Sequence, residues 1–197
     1  MDMRKTMKKK KETLNLYNKN PENNAFMIEV SLDDYSEIFN GWDASSIKKK
    51  DIEPELLDYL EQAGFEIPIS EKVEIYFYLP KEINDTDKEN KSMTGMINNF
   101  KAVLFFINRM LYKNYRRIAS YISIGILFLI GAYLTRYYAP SVTLMFSILI
   151  EGFFIGGWFL LWEAFSLFFF DTHETKLRRK VYRRFLETQI FFKDNIE

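Results

Sequence analysis

Apolar and polar residues alternate with a period of two in two stretches of the chain. Ala25 to Leu32 sets Phe26, Ile28, Val30 and Leu32 against Met27, Glu29 and Ser31. Val73 to Leu79 sets Val73, Ile75, Phe77 and Leu79 against Glu74, Tyr76 and Tyr78. A strand sends successive side chains to opposite faces, so each stretch predicts a strand with one buried face. Between them, Asp33 to Phe39 predicts a short helix capped near Asp33. After a turn at Asn40 and Gly41, Glu53 to Ala63 predicts a longer helix, with Pro54 in its first turn, Leu56, Leu57 and Leu60 as its apolar stripe, and Gly64 at its end. Phe65 to Ile69 has room for a third short strand, and Lys81 to Lys91 reads as a polar linker.

Beyond the linker the period changes. Met93, Met96, Ile97, Phe100, Val103, Leu104, Ile107 and Leu111 recur at intervals of mostly three and four, which predicts an amphipathic helix over 93–117. It leads into Ile118 to Thr135, 18 residues without a charge, close to the roughly 20 that cross a bilayer. A spanning helix is therefore expected at 118–137. Arg136 to Pro140 then forms a turn. From Ser141 to Phe170 a second apolar stretch of 30 residues is interrupted only by Glu151 and Glu163. As a helix it is about 45 Å long, more than a hydrocarbon core of roughly 30 Å, so its end must tilt or emerge. Trp158 and Trp162, one helical turn apart, mark that emergence. A basic amphipathic helix is expected at 174–193, with Leu177, Val181, Phe185 and Ile190 on one face. The fold class that follows is an α-helical membrane protein: a two-helix transmembrane hairpin at 118–137 and 141–170, a small cytoplasmic α+β domain at 23–92, and amphipathic juxtamembrane helices.

Charge sets the orientation. The 27 basic and 27 acidic residues cancel overall, yet residues 21–95 carry seven bases against eighteen acids, while residues 96–117 carry five bases and no acid. Residues 1–22 read as a disordered basic tail. Lys101, Arg109, Lys113, Arg116 and Arg117 precede the first span; Lys176, Arg178, Arg179, Lys180, Arg183 and Arg184 follow the second; Arg136 alone lies between. The positive-inside rule then puts both termini in the cytoplasm of a multi-pass plasma (inner) membrane protein.

Glu151 stands out against this apolar background. It lies about ten residues into the second span, near mid-bilayer, where a carboxyl must be neutral, hydrogen-bonded or in contact with water. Gly152, Gly156 and Gly157 beside it form a small-residue face that lets another helix come close, and Gly125 and Ser123 of the first span are the expected partners at that depth. This constellation reads first as interhelical packing and second as a proton- or ion-responsive carboxyl. Glu163, twelve residues on, is expected at the cytoplasmic interface in a salt bridge with Arg116 or Arg117.

Composition narrows the chemistry. With no Cys and a single His, disulfides, thiolate zinc sites and cysteine nucleophiles are excluded, and imidazole chemistry rests on His173 alone, in a charged stretch beside Glu174. There is no P-loop, dinucleotide glycine pattern, G-x-S-x-G or H-E-x-x-H. Asp33, Asp34, Asp43, Asp51 and Glu53 lack the spacing of a calcium loop and read as caps and a solvated face. No cofactor, metal or catalytic residue is assigned. The Lys8 to Lys11 run suits an anionic leaflet better than nucleic acid, since the domain that follows is acidic.

Certain of these residues carry a resemblance. Ile38-Phe39-Asn40 with Trp42-Asp43-Ala44-Ser45, Asp51-Ile52-Glu53-Pro54-Glu55 and Leu79-Pro80 lie in the soluble part; Ile124-Gly125-Ile126-Leu127 and Glu151-Gly152, Gly156-Gly157-Trp158, Trp162-Glu163 lie in the apolar part. Over about residues 26–187 the chain resembles a family of small prokaryotic two-span membrane proteins whose second helix reads E-G-x-x-x-G-G-W-x-x-x-W-E. Leu160 to Phe165 of this chain reads L-L-W-E-A-F, whereas relatives often carry a proline after the tryptophan. The resemblance implies the two-span topology and the pairing of Glu151 with the glycine face, and it brings no activity. The reading is a non-enzymatic membrane protein whose cytoplasmic interaction or sensing domain is tethered by an oligomerising hairpin. Its partners would be the lipid bilayer, further copies of itself and an unidentified cytoplasmic protein. The alternative is a small oligomeric channel or proton pathway using Glu151.

Overall fold

The computed structural model describes residues 14–138 and 143–195. The elements run β1 (Phe26–Ser31), a 3-10 turn (Tyr35–Ile38), α1 (Pro54–Glu66), β2 (Val73–Leu79), a 3-10 turn (Lys81–Ile83), α2 (Thr86–Tyr138), α3 (Leu144–Ser166), a π-helical turn (Leu167–Asp171), α4 (Thr172–Glu187) and β3 (Gln189–Asp194). The chain is mostly helical, with a small three-stranded sheet and two helices long and apolar enough to cross a membrane. It forms two compact units, Met1–Phe106 with Leu177–Glu197, and Ile107–Lys176.

In the first unit the strand order is β1-β2-β3 and both pairs are parallel, with Phe26 opposite Val73 and Glu74 opposite Gln189. Parallel neighbours need a crossover. The turn and α1 provide it between β1 and β2. Between β2 and β3 the crossover is everything from α2 to α4, so the second unit is an insertion in the connection between two adjacent strands. The apolar face of the alternation forms the core: Ile28, Ile75, Phe77 and Leu79 are fully buried. Phe77 stacks on Phe192 of β3 at 5.4 Å, and Phe192 meets Tyr35 at 5.6 Å. Phe100 of α2 meets Tyr182 and Phe185 of α4 at 6.2 and 5.3 Å, joining the outgoing and returning helices within this unit.

Several sequence expectations change. The third strand is not at 65–69, which holds the end of α1 and the start of a turn in which the Glu71 amide donates to the Pro68 carbonyl; it is 189–194, where the sequence predicts helix as far as residue 193. Ile190 breaks the four-residue spacing of Leu177, Val181 and Phe185, and its β-prone neighbours Phe191 and Phe192 pair with the open edge of β2. The first unit thus extends past the expected 23–92 to include residues 177–194. Gly64 does not end α1 but lies inside it, at a close approach to α4 where a Cβ would collide with the Val181 side chain and come within 2.9 Å of Phe185 Cζ. Lys81–Lys91 is not a linker: Asp85 caps α2 by accepting from the amides of Asp87 at 2.9 Å and Lys88 at 3.2 Å. The amphipathic helix and the first span are one continuous helix of 53 residues. In the tail, Lys19 bridges to Phe26 and the Tyr17 hydroxyl donates to Glu66 at 2.6 Å, so residues from Leu14 onward are part of the fold; residues 1–13, and Ala139 and Pro140 of the expected turn, lie outside the described residues.

Candidate functional site

The second unit holds the Glu151 constellation. Along α2 in this unit Leu111, Ile118, Gly125 and Ala132 are buried at seven-residue intervals, with Ile107 buried one turn before them, and along α3 Gly157 and Ala164 are buried seven apart. A seven-residue repeat keeps one seam of each helix against the other. Ile118 packs with Ala164 and Leu167, with Tyr121 at the margin. Seven residues further on, Gly125 meets Gly157: a Cβ on Gly125 would sit 3.0 Å from the Gly157 carbonyl oxygen, and one on Gly157 would sit 2.9 Å from that of Gly125. Two residues of the expected face are therefore the crossing point of the hairpin.

The others are elsewhere. Gly156 reaches only the Phe128 ring at 3.5 Å, and Gly152 has no atom within 4 Å of a Cβ position. Ser123 is exposed and donates to the Ala119 carbonyl of its own helix at 2.9 Å, so it is not a partner of Glu151. Glu151 is exposed and makes no hydrogen bond among the described residues. Glu163 is half-buried and forms no ion pair with Arg116 or Arg117 among the described residues. The seam passes through Ile118, which leaves both arginines on the exposed flank. Trp158 and Trp162 are exposed, and Trp162 stacks on Phe165 at 5.8 Å.

At the far end of this unit the helix widens. The Thr172 hydroxyl donates to the Leu167 carbonyl at 3.0 Å and stabilises the π-helical turn Leu167–Asp171. Lys176 lies 5.5 Å from both the Tyr115 and Phe168 ring centres, a cation–π clamp between the two helices that no sequence pattern singled out.

The first unit carries two charged clusters of its own. Glu61 of α1 accepts from Arg178 at 2.9 Å and from the Tyr182 hydroxyl at 2.7 Å. Arg184 donates to the carbonyls of Gly64, Ile67 and Pro68, so one guanidinium closes the C-terminus of α1. On the polar face of the sheet Glu74 is 4% exposed and accepts from Asn20, Asn23 and Tyr76. Burial raises its pKa, but these three donors hold the carboxyl below its usual range. The same burial and the bond to Glu74 push the Tyr76 phenol up to about 12. Tyr78 donates to Glu29 at 2.9 Å in the parallel position on this face. A cleft of about 720 Å³ opens at the N-terminal ends of the strands, lined by Lys72, Glu74, Lys180, Arg183 and Gln189 among others. Asp34 and Asp43 accept backbone amides, from Ser36 and from Ser45 and Asp51 respectively. Among the described residues no group of three or more His, Asp or Glu side chains is placed to hold a metal ion.

No protein-family model matches the chain, and no match was found among curated proteins or among solved structures.

Proposed function

We propose that the chain is an integral membrane protein in which the unit 107–176 crosses the bilayer twice and tethers a cytoplasmic interaction or sensing module built from the remaining residues. One observation carries this reading. Only 17% of the most apolar window of α2, and 6% of that of the second long helix, is buried by the rest of the chain. The uncovered surface includes Leu127, Tyr133, Leu144, Met145, Ile155, Phe159 and Trp162, each more than 60% exposed. Soluble chains rarely leave so large an apolar surface in water. Lipid covers it without any further partner.

The basic residues before Ile118 and after Phe170 support a topology with both ends of the hairpin, and the module with them, on the cytoplasmic side. The two-span family that the chain resembles has the same plan. A module role fits a fold whose charged residues are spent on structure: Glu61, Arg184 and Glu74 hold helices and strands together. The experiment is membrane extraction. Sedimentation with membranes after washing at alkaline pH, and release only by detergent, supports the reading; recovery in the aqueous wash overturns it.

A further inference from the structure

The helices of the hairpin contain glycines of two kinds. Gly125 and Gly157 are used where α2 meets α3, whereas Gly131 and Gly152 have no atom within 4 Å of a Cβ position. The register fixed by the Ile118–Ala164 and Gly125–Gly157 contacts sets Gly131 of α2 at the level of Glu151. Gly131 offers that carboxyl no side chain. On α2 the Tyr133 side chain is 70% exposed and makes no bond to Glu151, and the Ser123 and Thr135 hydroxyls are committed to the Ala119 and Gly131 carbonyls. Ser147, one turn earlier on α3, makes no bond to Glu151.

Glu151 also faces away from the hairpin. The seam of α3 runs through Gly157 and Ala164, and the opposite side of the helix is the line Ile148, Ile155 and Trp162, seven residues apart and 58%, 68% and 69% exposed. Helical geometry puts Glu151 on one flank of this line and Gly152 on the other. A seven-residue apolar line with a small residue beside it is the pattern of a second helix–helix seam.

We infer that this side of α3 seats a second copy of the chain, with Glu151 facing Glu151 of the partner subunit. The inference rests on the membrane reading above. Two copies inserted in the same orientation and related by a twofold axis along the membrane normal present identical residues at identical depth. A carboxylic acid both donates and accepts, so two of them satisfy each other with no other polar group at that level. Gly152 lets the backbones close to the distance this needs. An unpartnered carboxyl in hydrocarbon is costly, and pairing offsets part of that cost.

The absence of cysteine makes the test direct. Single cysteines at Ile148, Ile155 and, as a control on the inner seam, Leu129 are introduced into the full chain, reconstituted in phosphatidylcholine vesicles and oxidised. Disulfide-linked dimers at 148 and 155 and not at 129 are expected. Adding Glu151→Gln, whose amide also donates and accepts, keeps the cross-link within about twofold; adding Glu151→Leu or Gly152→Leu lowers it at least fivefold. Gly152→Leu enters open space in the hairpin, so the monomer's fold is retained. A chain that enters vesicles but does not cross-link at 148 or 155, or does so equally with Glu151→Leu and Gly152→Leu, overturns this inference alone. A chain that does not enter vesicles overturns the membrane reading as well.

Discussion

Gly125 and Gly157 meet backbone to backbone: the Cβ that any other residue would add at 157 falls 2.8 Å from Leu129 Cγ and 2.9 Å from the Gly125 carbonyl oxygen. The obstacle at one side is a carbonyl, which cannot move without moving the helix. Gly157→Leu is therefore expected to open the hairpin, and Gly125→Leu likewise, while Gly152→Ala leaves it closed. A cysteine pair replacing Ile118 and Ala164 reads this out. It oxidises readily with Gly152→Ala and loses most of its cross-linking with Gly157→Leu.

The position of the second unit inside the β2–β3 crossover predicts where the chain can be cut. Truncation after Lys176 removes β3 and all of α4 but its first five residues, exposing β2 and the Phe77 ring, and should leave an aggregating or unfolded product. Joining Phe106 to Leu177 with a flexible linker of roughly ten residues keeps every strand and the Phe100–Phe185 contact. That product should be soluble without detergent and show a cooperative thermal transition by circular dichroism.

Within that soluble version, α1 and α4 depend on Glu61 and Gly64. Glu61→Ala leaves Arg178 and the buried Tyr182 hydroxyl without their acceptor and should cost about 2–4 kcal/mol. Gly64→Ala forces Val181 and Phe185 aside and should cost about 1–3 kcal/mol. Urea unfolding gives both values; Glu55→Ala, an exposed position on the same helix, should shift it by less than about 0.5 kcal/mol.

Stability should also depend on pH through the Glu74 cluster. The Glu74 pKa is lower in the folded state than in the unfolded one, so its contribution is present above the ordinary carboxylate range and is lost as pH falls through the lowered value. The Tyr76 pKa is raised from 10.0 to about 12, so its contribution is present below 10 and is lost as pH rises through 12. Tyr76→Phe should remove its share of the alkaline loss, and Glu74→Gln its share of the acid loss, each seen as a flatter melting temperature against pH.

Much of this fold was legible in the pattern of residues. Both alternating stretches became β1 and β2, and the two long apolar segments became the two long helices, because burial of a regular face is a property of local spacing. β3 was not legible. Gln189 to Asp194 is six residues following a helical repeat, and its conformation is set by a neighbour 115 residues earlier in the chain, as in the pairing of Glu74 with Gln189. The glycine face was legible only as composition. Which of four glycines meets the other helix depends on the seven-residue register, and that register became visible through Ile118 and Ala164. Ser123 and Glu163 were assigned partners by depth alone; depth leaves open the side of the helix on which a residue lies.

We propose that the hairpin crosses a bilayer twice with both of its ends on one side. In this cysteine-free chain, Tyr138→Cys at the end of α2 and Asn195→Cys after β3 can be labelled in intact cells with a membrane-impermeant maleimide. Position 138 should be labelled from outside, and position 195 only after the membrane is permeabilised. Equal labelling of both in intact cells, or of neither until permeabilisation, would contradict it.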